Sequence, residues 1–171
     1  MMQLKKLLEE RDFHHNCGMV GLRHLFIALN RCGLEEYAYK AIVAKGYPSF
    51  TQWLENGATT LWETWEMEFS KNHHMYSDFM AWLMKTLVGI QVCPEAPAYE
   101  KVEIHPRFIP GIDFCRGYTE TPRGKIAVSW KREGEAVQLE IALPADVDAV
   151  SPYGALKKGT NIITVPAGTT T

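Results

Sequence analysis

The feature that most constrains this chain is a change in hydrophobic period near Pro94. Before Pro94, apolar residues recur every three to four positions, a spacing that places them on one face of a helix. After it, apolar and polar residues alternate, as they do along strands with one buried face. The segment 93–97 contains two prolines and is the predicted junction. We therefore predict an α+β chain in two parts, with helices in residues 1–92 and an antiparallel β-sandwich in residues 93–171.

The N-terminal part is predicted to form several amphipathic helices. In the second one, Val20, His24, Ile27 and Ala28 share a face. A further helix is predicted over residues 74–88. So few helices cannot close a large helical barrel, and we expect their apolar faces to meet helices outside this sequence. In the C-terminal part, the alternation predicts strands at residues 101–105, 125–131, 137–143 and 162–165.

Composition argues against several classes of partner. Lys and Arg number 18 and Asp and Glu number 20, so the formal net charge is −2. This balance provides no broad basic field, and we expect binding neither to nucleic acid nor to a membrane. No apolar run approaches the ~20 residues of a membrane-spanning helix, and the N-terminus lacks the apolar region of a signal peptide. Two locations are consistent with these features: the chain stays in the cytoplasm, or it is cut from an exported precursor.

The densest group of chemically capable residues combines one carboxylate with two tryptophans, an amide and an imidazole: Trp62, Glu63, Trp65, Asn72 and His73. Tryptophan rings are common platforms for the apolar faces of sugars. A carboxylate beside them suits acid–base catalysis of glycoside hydrolysis. The alternative is structural, with both tryptophans as core residues packed around a capping carboxylate.

The histidines and cysteines do not form a metal motif. His14-His15 and His73-His74 are adjacent pairs, and neighbouring residues on a helix point about 100° apart. They lack the i, i+4 spacing that places two ligands on one face. The four cysteines form no C-x-x-C pair, so we expect reduced thiols. We therefore expect no metal site and no cofactor.

Several stretches, in order along the chain, resemble one enzyme family. Residues 57–65 read G-A-T-T-L-W-E-T-W and resemble the G-A-T-T-x-W-E-x-W signature of the bacterial α-L-rhamnosidases, glycoside hydrolase family 78. Upstream, residues 47–50 are similar to the family's Y-P-S-W/F, and residues 70–73 are similar to its S-x-N-H. Further matches are A-W-L with L-V-G-I in residues 81–90, where Ala81 replaces an acidic residue, and Y-T-E-T-P-R-G-K-I in residues 118–126.

The resemblance implies a fold and a reaction. The fold is an (α/α)6 barrel followed by a small β-sandwich, and the reaction is hydrolysis of terminal α-L-rhamnose with inversion. Glu63 would be the general base that activates water, and His73 and Asn72 would help to bind the sugar. Trp62 and Trp65 would shape the pocket. The family's general acid lies far upstream, in barrel helices that residues 1–171 do not contain.

These observations lead to one main hypothesis and two alternatives. In the main hypothesis the chain is the C-terminal portion of an inverting hydrolase of rhamnose-containing glycosides, inactive or nearly so by itself. In the first alternative it is a non-catalytic carbohydrate-binding or interaction module, whose sandwich would use exposed Tyr99, Tyr118 or Tyr153. In the second, its open apolar helices bind the missing barrel segment or a second copy of the chain.

Overall fold

A computed structural model describes residues 2–166, and these residues form helices first and sheets second, as predicted. The chain divides into two compact units between Trp82 and Leu83. The predicted division of the domains at residues 92 and 93 stays a prediction. No helix within residues 2–166 is long and apolar enough to cross a membrane.

The first unit is helical. Its elements are α1 (Met2–Glu9), α2 (Met19–Arg31), α3 (Glu35–Val43), α4 (Phe50–Glu55), the 3-10 helix His74–Tyr76 and α5 (Asp78–Trp82). Helix α2 packs against α3 and α5, and α3 packs against α1 and α4. The predicted helix over residues 74–88 is interrupted, because its first turn is a 3-10 helix and its last six residues, in the second unit, form a π-helix.

The buried face of α2 differs from the predicted one. The residues that α2 buries are Leu22, Leu25, Phe26 and Leu29. The predicted stripe is largely open, since Val20 is 71% exposed and Ile27 is 42% exposed. This helix carries apolar residues on two faces, and periodicity cannot decide which face the neighbouring helices cover.

A buried serine fixes the start of α4. The Ser49 hydroxyl accepts a hydrogen bond from the backbone N–H of Gln52 at 3.0 Å and donates one to the carbonyl of Gly46 at 2.6 Å. Its side chain thus satisfies one of the free N–H groups in the first turn of the helix. The next residue, Phe50, is buried. These contacts give the Y-P-S-F stretch a structural role in anchoring α4.

The second unit begins with the π-helix Leu83–Val88 and continues as two sheets. The strands are β1 (Ile90–Val92), β2 (Lys101–Ile104), β3 (Phe114–Thr121), β4 (Gly124–Glu133), β5 (Ala136–Leu143), β6 (Asp148–Val150) and β7 (Gly159–Pro166). One sheet has the order β1-β2-β6, with β1 antiparallel and β6 parallel to β2. The other is fully antiparallel, with the order β3-β4-β5-β7.

The core of the second unit comes from the alternation seen in the sequence. In β4 every second residue from Ile126 to Trp130 is buried, and β5 contributes its matching apolar residues to the same core: Ile126, Val128, Trp130, Val137, Leu139 and Ile141. The four predicted strands correspond to β2, β4, β5 and β7. Three strands lack a comparable apolar alternation, and the sequence pattern did not predict them: β1, β3 and β6.

One glycine of the family-like L-V-G-I stretch has a clear structural reason. Gly89 has φ +77°, a left-handed conformation that L side chains rarely adopt. A Cβ atom at this position would lie 2.1 Å from the backbone nitrogen of Pro106. The backbone N–H of His105 also donates to the Gly89 carbonyl at 2.8 Å. Only glycine allows this close approach of the two chain segments.

Candidate functional site

A loop after α4 folds back on itself and brings Glu63 next to His73. The backbone N–H of Glu63 donates to the Ser70 carbonyl at 2.9 Å, and the N–H of His73 donates to the Leu61 carbonyl at 2.7 Å. The Thr60 hydroxyl also donates to the carbonyl of Lys71. These bonds join two segments that run in opposite directions, so residues ten positions apart face the same space.

The Glu63 carboxylate is held at one oxygen. Its Oε2 accepts a hydrogen bond from the backbone N–H of Ser70 at 3.0 Å and lies 3.4 Å from Nδ1 of His73. The side chains of Glu63 and His73 are 36% and 24% exposed, so both reach solvent. Among residues 2–166, no hydrogen-bond partner is recorded for Oε1 of Glu63. The group is thus oriented by the protein and keeps one oxygen available for a water or a ligand.

The side chains of Trp62 and Trp65, which belong to the same loop, are buried in an aromatic cluster, with 5% and 4% exposure. The Trp65 ring stacks on Trp53 with centroids 4.6 Å apart, and it also contacts Tyr76 at 4.6 Å. Its indole N–H donates to the Cys17 carbonyl at 3.1 Å. Trp53 in turn donates to the Thr64 carbonyl at 3.2 Å, which ties the cluster to the residue that follows Glu63. The two tryptophans are thus packed in a buried cluster next to Glu63 in the chain, and their contact with a sugar stays a prediction.

Two other residues of the loop are exposed. Asn72 is exposed, and its backbone N–H donates to the Ser70 hydroxyl at 3.3 Å. Lys71 places its Nζ 4.5 Å from the centre of the Trp62 ring, a cation–π contact at the edge of the site. Sequence reasoning missed Lys71, since a lysine in a polar loop gives no periodic signal.

A hydrogen bond also links the Y-P-S-F stretch to the site loop. The Tyr47 hydroxyl donates to Oε1 of Glu66 at 2.8 Å. This bond holds the pKa of Glu66 below its usual range and raises the pKa of Tyr47. The stretch 47–50 is therefore in direct contact with the residue that follows the signature at residues 57–65.

His15 is the second residue that sequence reasoning missed at this site. It is 4% exposed, and its ring meets Trp65 edge-on at 5.4 Å and lies 6.0 Å from Phe50. Neither ring nitrogen has a hydrogen-bond partner within residues 2–166. Burial, and to a smaller extent the charge of His14, lowers the pKa of His15 to about 4. The sequence gives no sign that His15 is buried, because His14 and His15 together look like a pair of polar surface residues.

In the described part of the chain, no three His, Cys, Asp or Glu residues lie close enough together to hold a metal ion. The four cysteines are unpaired and partly buried. Burial raises the pKa of the Cys17 and Cys115 thiols, which disfavours their reactive thiolate forms.

The three tyrosines proposed for sugar binding in the second unit lie in different settings. Tyr99 packs against the core, and Tyr153 donates to the Pro106 carbonyl at 2.7 Å. Tyr118 is 56% exposed on the outer face of β3. Phe114 lies on the same face and is 65% exposed.

Comparisons with known proteins agree with these features. The family model of the bacterial α-L-rhamnosidase six-hairpin glycosidase domain matches residues 1–87. The model of the bacterial α-L-rhamnosidase C-terminal domain matches residues 89–156. Together the two matches cover both the helical part and most of the sandwich.

The curated relatives that the chain matches are named α-L-rhamnosidases and are much longer than this chain. An α-L-rhamnosidase of Alteromonas sp. (strain LOR) is 29% identical over 158 residues, which is 86% of this chain and 17% of the relative. One from Formosa agariphila is 28% identical over 150 residues, 84% of this chain and 16% of the relative. The chain therefore spans about one sixth of the length of the curated relatives it matches.

Solved structures show the same fold. The structure of an α-L-rhamnosidase from Dictyoglumus thermophilum superposes with a TM-score of 0.80 at 26% identity, over 96% of this chain and 22% of that one. That of the Streptomyces avermitilis α-L-rhamnosidase, which was solved in complex with L-rhamnose, gives a TM-score of 0.78 at 22% identity, over 95% and 18% of the two chains. The predicted order of partial six-hairpin barrel and sandwich is confirmed.

Proposed function

This chain belongs to the bacterial α-L-rhamnosidase family of glycosidases, and from that premise we propose that it is the C-terminal part of an inverting α-L-rhamnosidase. Glu63 is the proposed general base, and a rhamnose-containing glycoside is the proposed substrate. The main support for the proposal is the setting of the Glu63 carboxylate. Its Oε2 contacts Ser70 and His73, and its Oε1 has no hydrogen-bond partner within residues 2–166.

The geometry suits a base that acts on water. Ser70 and His73 both lie at Oε2, so the carboxylate is oriented through one oxygen, and Oε1 forms no hydrogen bond within residues 2–166. General-base catalysis requires a carboxylate within hydrogen-bond reach of the attacking water. In this proposal His73 contacts the same water or a sugar hydroxyl, and the exposed residue Asn72 supplies a further polar group. The buried Trp62 and Trp65 hold the loop in place and shape the floor of the pocket.

Inversion needs a second carboxyl group, the general acid, ~6.5–9.5 Å from the base. We propose that it comes from barrel helices outside this sequence, in line with the greater length of the relatives. The isolated chain is then expected to release no measurable rhamnose from an aryl rhamnoside. The exposed apolar residues of α2 are the proposed contact for that missing barrel segment.

The test of this proposal joins the chain to barrel helices that supply a general acid. We would build a chimera in which residues 1–171 replace the corresponding C-terminal part of a full-length relative and measure hydrolysis of an aryl rhamnoside. Glu63→Gln is expected to lower kcat by about 10²–10⁴-fold, because the neutral amide cannot accept the proton from water.

Glu68→Gln is the matched control, since Glu68 is an exposed carboxylate in the same loop whose recorded bonds use only its backbone atoms. That variant should retain nearly full activity. Equal activity of the Glu63→Gln and wild-type chimeras, with both folded, would contradict the assigned role. Azide, an anionic nucleophile that needs no base to remove a proton, should attack the sugar in place of water in a Glu63→Ala chimera, restoring release of the aglycone with formation of the glycosyl azide, and it should not do so in a misfolded variant.

A further inference from the structure

The second unit carries a groove that the proposed reaction does not use. It lies on the outer face of the sheet β3-β4-β5-β7, where two adjoining cavities of about 640 and 440 Å³ share Arg116, Ser129 and Glu140. Such volumes fall within the ~300–1,000 Å³ of typical small-ligand sites. We call this surface the outer groove.

Strand register explains the shape of the outer groove. Arg116, Ser129 and Glu140 are directly opposite one another on three adjacent strands. Tyr118, Ala127 and Ala142 form the next such row. The small side chains of Ala127, Ser129 and Ala142 leave a depression. The larger side chains of Arg116, Tyr118 and Glu140 stand around it.

Aromatic and aliphatic groups stand at the ends of the outer groove. Tyr118 is 56% exposed, and Nζ of Lys125 lies 3.8 Å from the centre of its ring, which orients the ring. Phe114 lies four residues away on the same face of β3, about 13 Å along the strand. Ile162, which is opposite Glu140 on β7, is 74% exposed.

The charges indicate what kind of molecule covers this surface. Arg116 and Glu140 lie in the middle of the groove. Within the described part of the chain, neither side chain forms an ion pair or a hydrogen bond. An apolar protein surface placed over them would bury two unpaired charges, and the centres of protein interfaces are depleted of charged residues. Mixed signs also argue against a polyanion, which a basic surface would favour.

We propose that the outer groove binds a neutral oligosaccharide of several sugar units. Sugar hydroxyls both donate and accept, so they can pair with the guanidinium of Arg116, the carboxylate of Glu140 and the hydroxyl of Ser129. The apolar faces of the sugar rings pack against Tyr118 and Phe114. The groove lies within the C-terminal unit, so this inference does not rest on the proposed role of Glu63.

Calorimetric titration of the 171-residue chain tests the proposal. The probe is an α-linked rhamnose oligosaccharide of roughly four sugars, a length that matches the ~13–20 Å of the groove. The wild type is expected to bind it in a saturable manner, and more tightly than it binds free L-rhamnose. Tyr118→Ala and Arg116→Ala should each weaken binding by about tenfold or more.

Three further variants make the result specific. Tyr118→Phe keeps the ring and should retain most of the affinity, and Val150→Ala changes an exposed residue of the other sheet and should have no effect. Glu63→Gln should also bind normally. Far-ultraviolet circular dichroism and the thermal midpoint establish that each variant is folded.

Several results would overturn the proposal. The first is the absence of saturable binding by the folded wild type at millimolar oligosaccharide. The second is loss of binding in Glu63→Gln but not in Tyr118→Ala, which would place the sugar at the barrel loop. The third is a wild-type dimer in light scattering that Tyr118→Ala converts to a monomer, which would make the groove a contact between copies of the chain.

Discussion

Acidification should destabilise this protein through His15. The ring is buried against Trp65 and Phe50, neither nitrogen has a recorded partner within residues 2–166, and the pKa is lowered to about 4 from its usual value of 6.5. The folded state therefore prefers the neutral ring, and the unfolded state binds the proton more readily between these two pH values. Stability is fully present above pH ~6.5 and is lost as the pH falls toward 4.

The size of the effect follows from the two pKa values. They differ by about 2.5, and each unit corresponds to ~1.4 kcal/mol, so the complete loss is about 3 kcal/mol. At pH 5 the loss is about 2 kcal/mol, because the unfolded ring is almost fully protonated and the folded ring is almost fully neutral. That amount is a large fraction of the free energy of unfolding of an ordinary domain.

Urea unfolding at pH 7 and pH 5 measures this loss, and a His15→Leu variant isolates the contribution of the ring. Carboxylates also titrate over this range, so the informative quantity is the difference between variant and wild type. The variant should lose about 2 kcal/mol less than the wild type between the two pH values. At pH 7 it should be at least as stable, because leucine fills an apolar site without two unpaired nitrogens. His24→Leu, at an exposed position of α2, is the control and should keep the wild-type loss.

The reasoning would be refuted by equal losses in His15→Leu and the wild type. It would also be refuted by a proton NMR titration that finds the His15 pKa near 6.5 in the folded chain. The first result would show that the ring does not determine acid stability, and the second that it is hydrated in the folded state.

Two further predictions concern local structure. Ser49→Ala should lower the free energy of unfolding by about 1–2 kcal/mol in urea titrations, since it removes the cap of α4, whereas Ser49→Thr should retain most of the stability. Gly89→Ala should cost about 1–3 kcal/mol more than Gly111→Ala, because both glycines have positive φ but only Gly89 lacks room for a Cβ beside Pro106. Equal effects of the two glycine substitutions would show that close packing is unimportant there.

Parts of the fold and of the site could be predicted because they are local in sequence. Alternation identified β2, β4, β5 and β7, since side chains of a strand with one buried face must alternate. The short spacing between Glu63 and His73, together with the motif around them, was enough to place both in one loop. In contrast, β3 has exposed residues at alternate positions and no fully buried one, so its pattern resembles a polar loop.

Other features were decided by contacts between residues far apart in the chain. The sequence showed that Trp62 and Trp65 are near Glu63, but their burial depends on Trp53 and on the Cys17 carbonyl, 48 positions before Trp65. Periodicity showed that α2 is apolar, while its neighbours α3 and α5 decided which face is covered. His15 gave no local signal at all, because burial of a single ring is a property of the groups that surround it.

The sequence by itself thus determined the order of helices and strands and the family, and it singled out Glu63 as the proposed general base. Each of these depends on residue type and spacing along the chain. The tertiary structure alone decided which apolar face is buried, which oxygen of Glu63 is held, and where exposed side chains line up across β3, β4 and β5. Those features depend on distances between segments that spacing along the chain does not set, because chain folding brings them together.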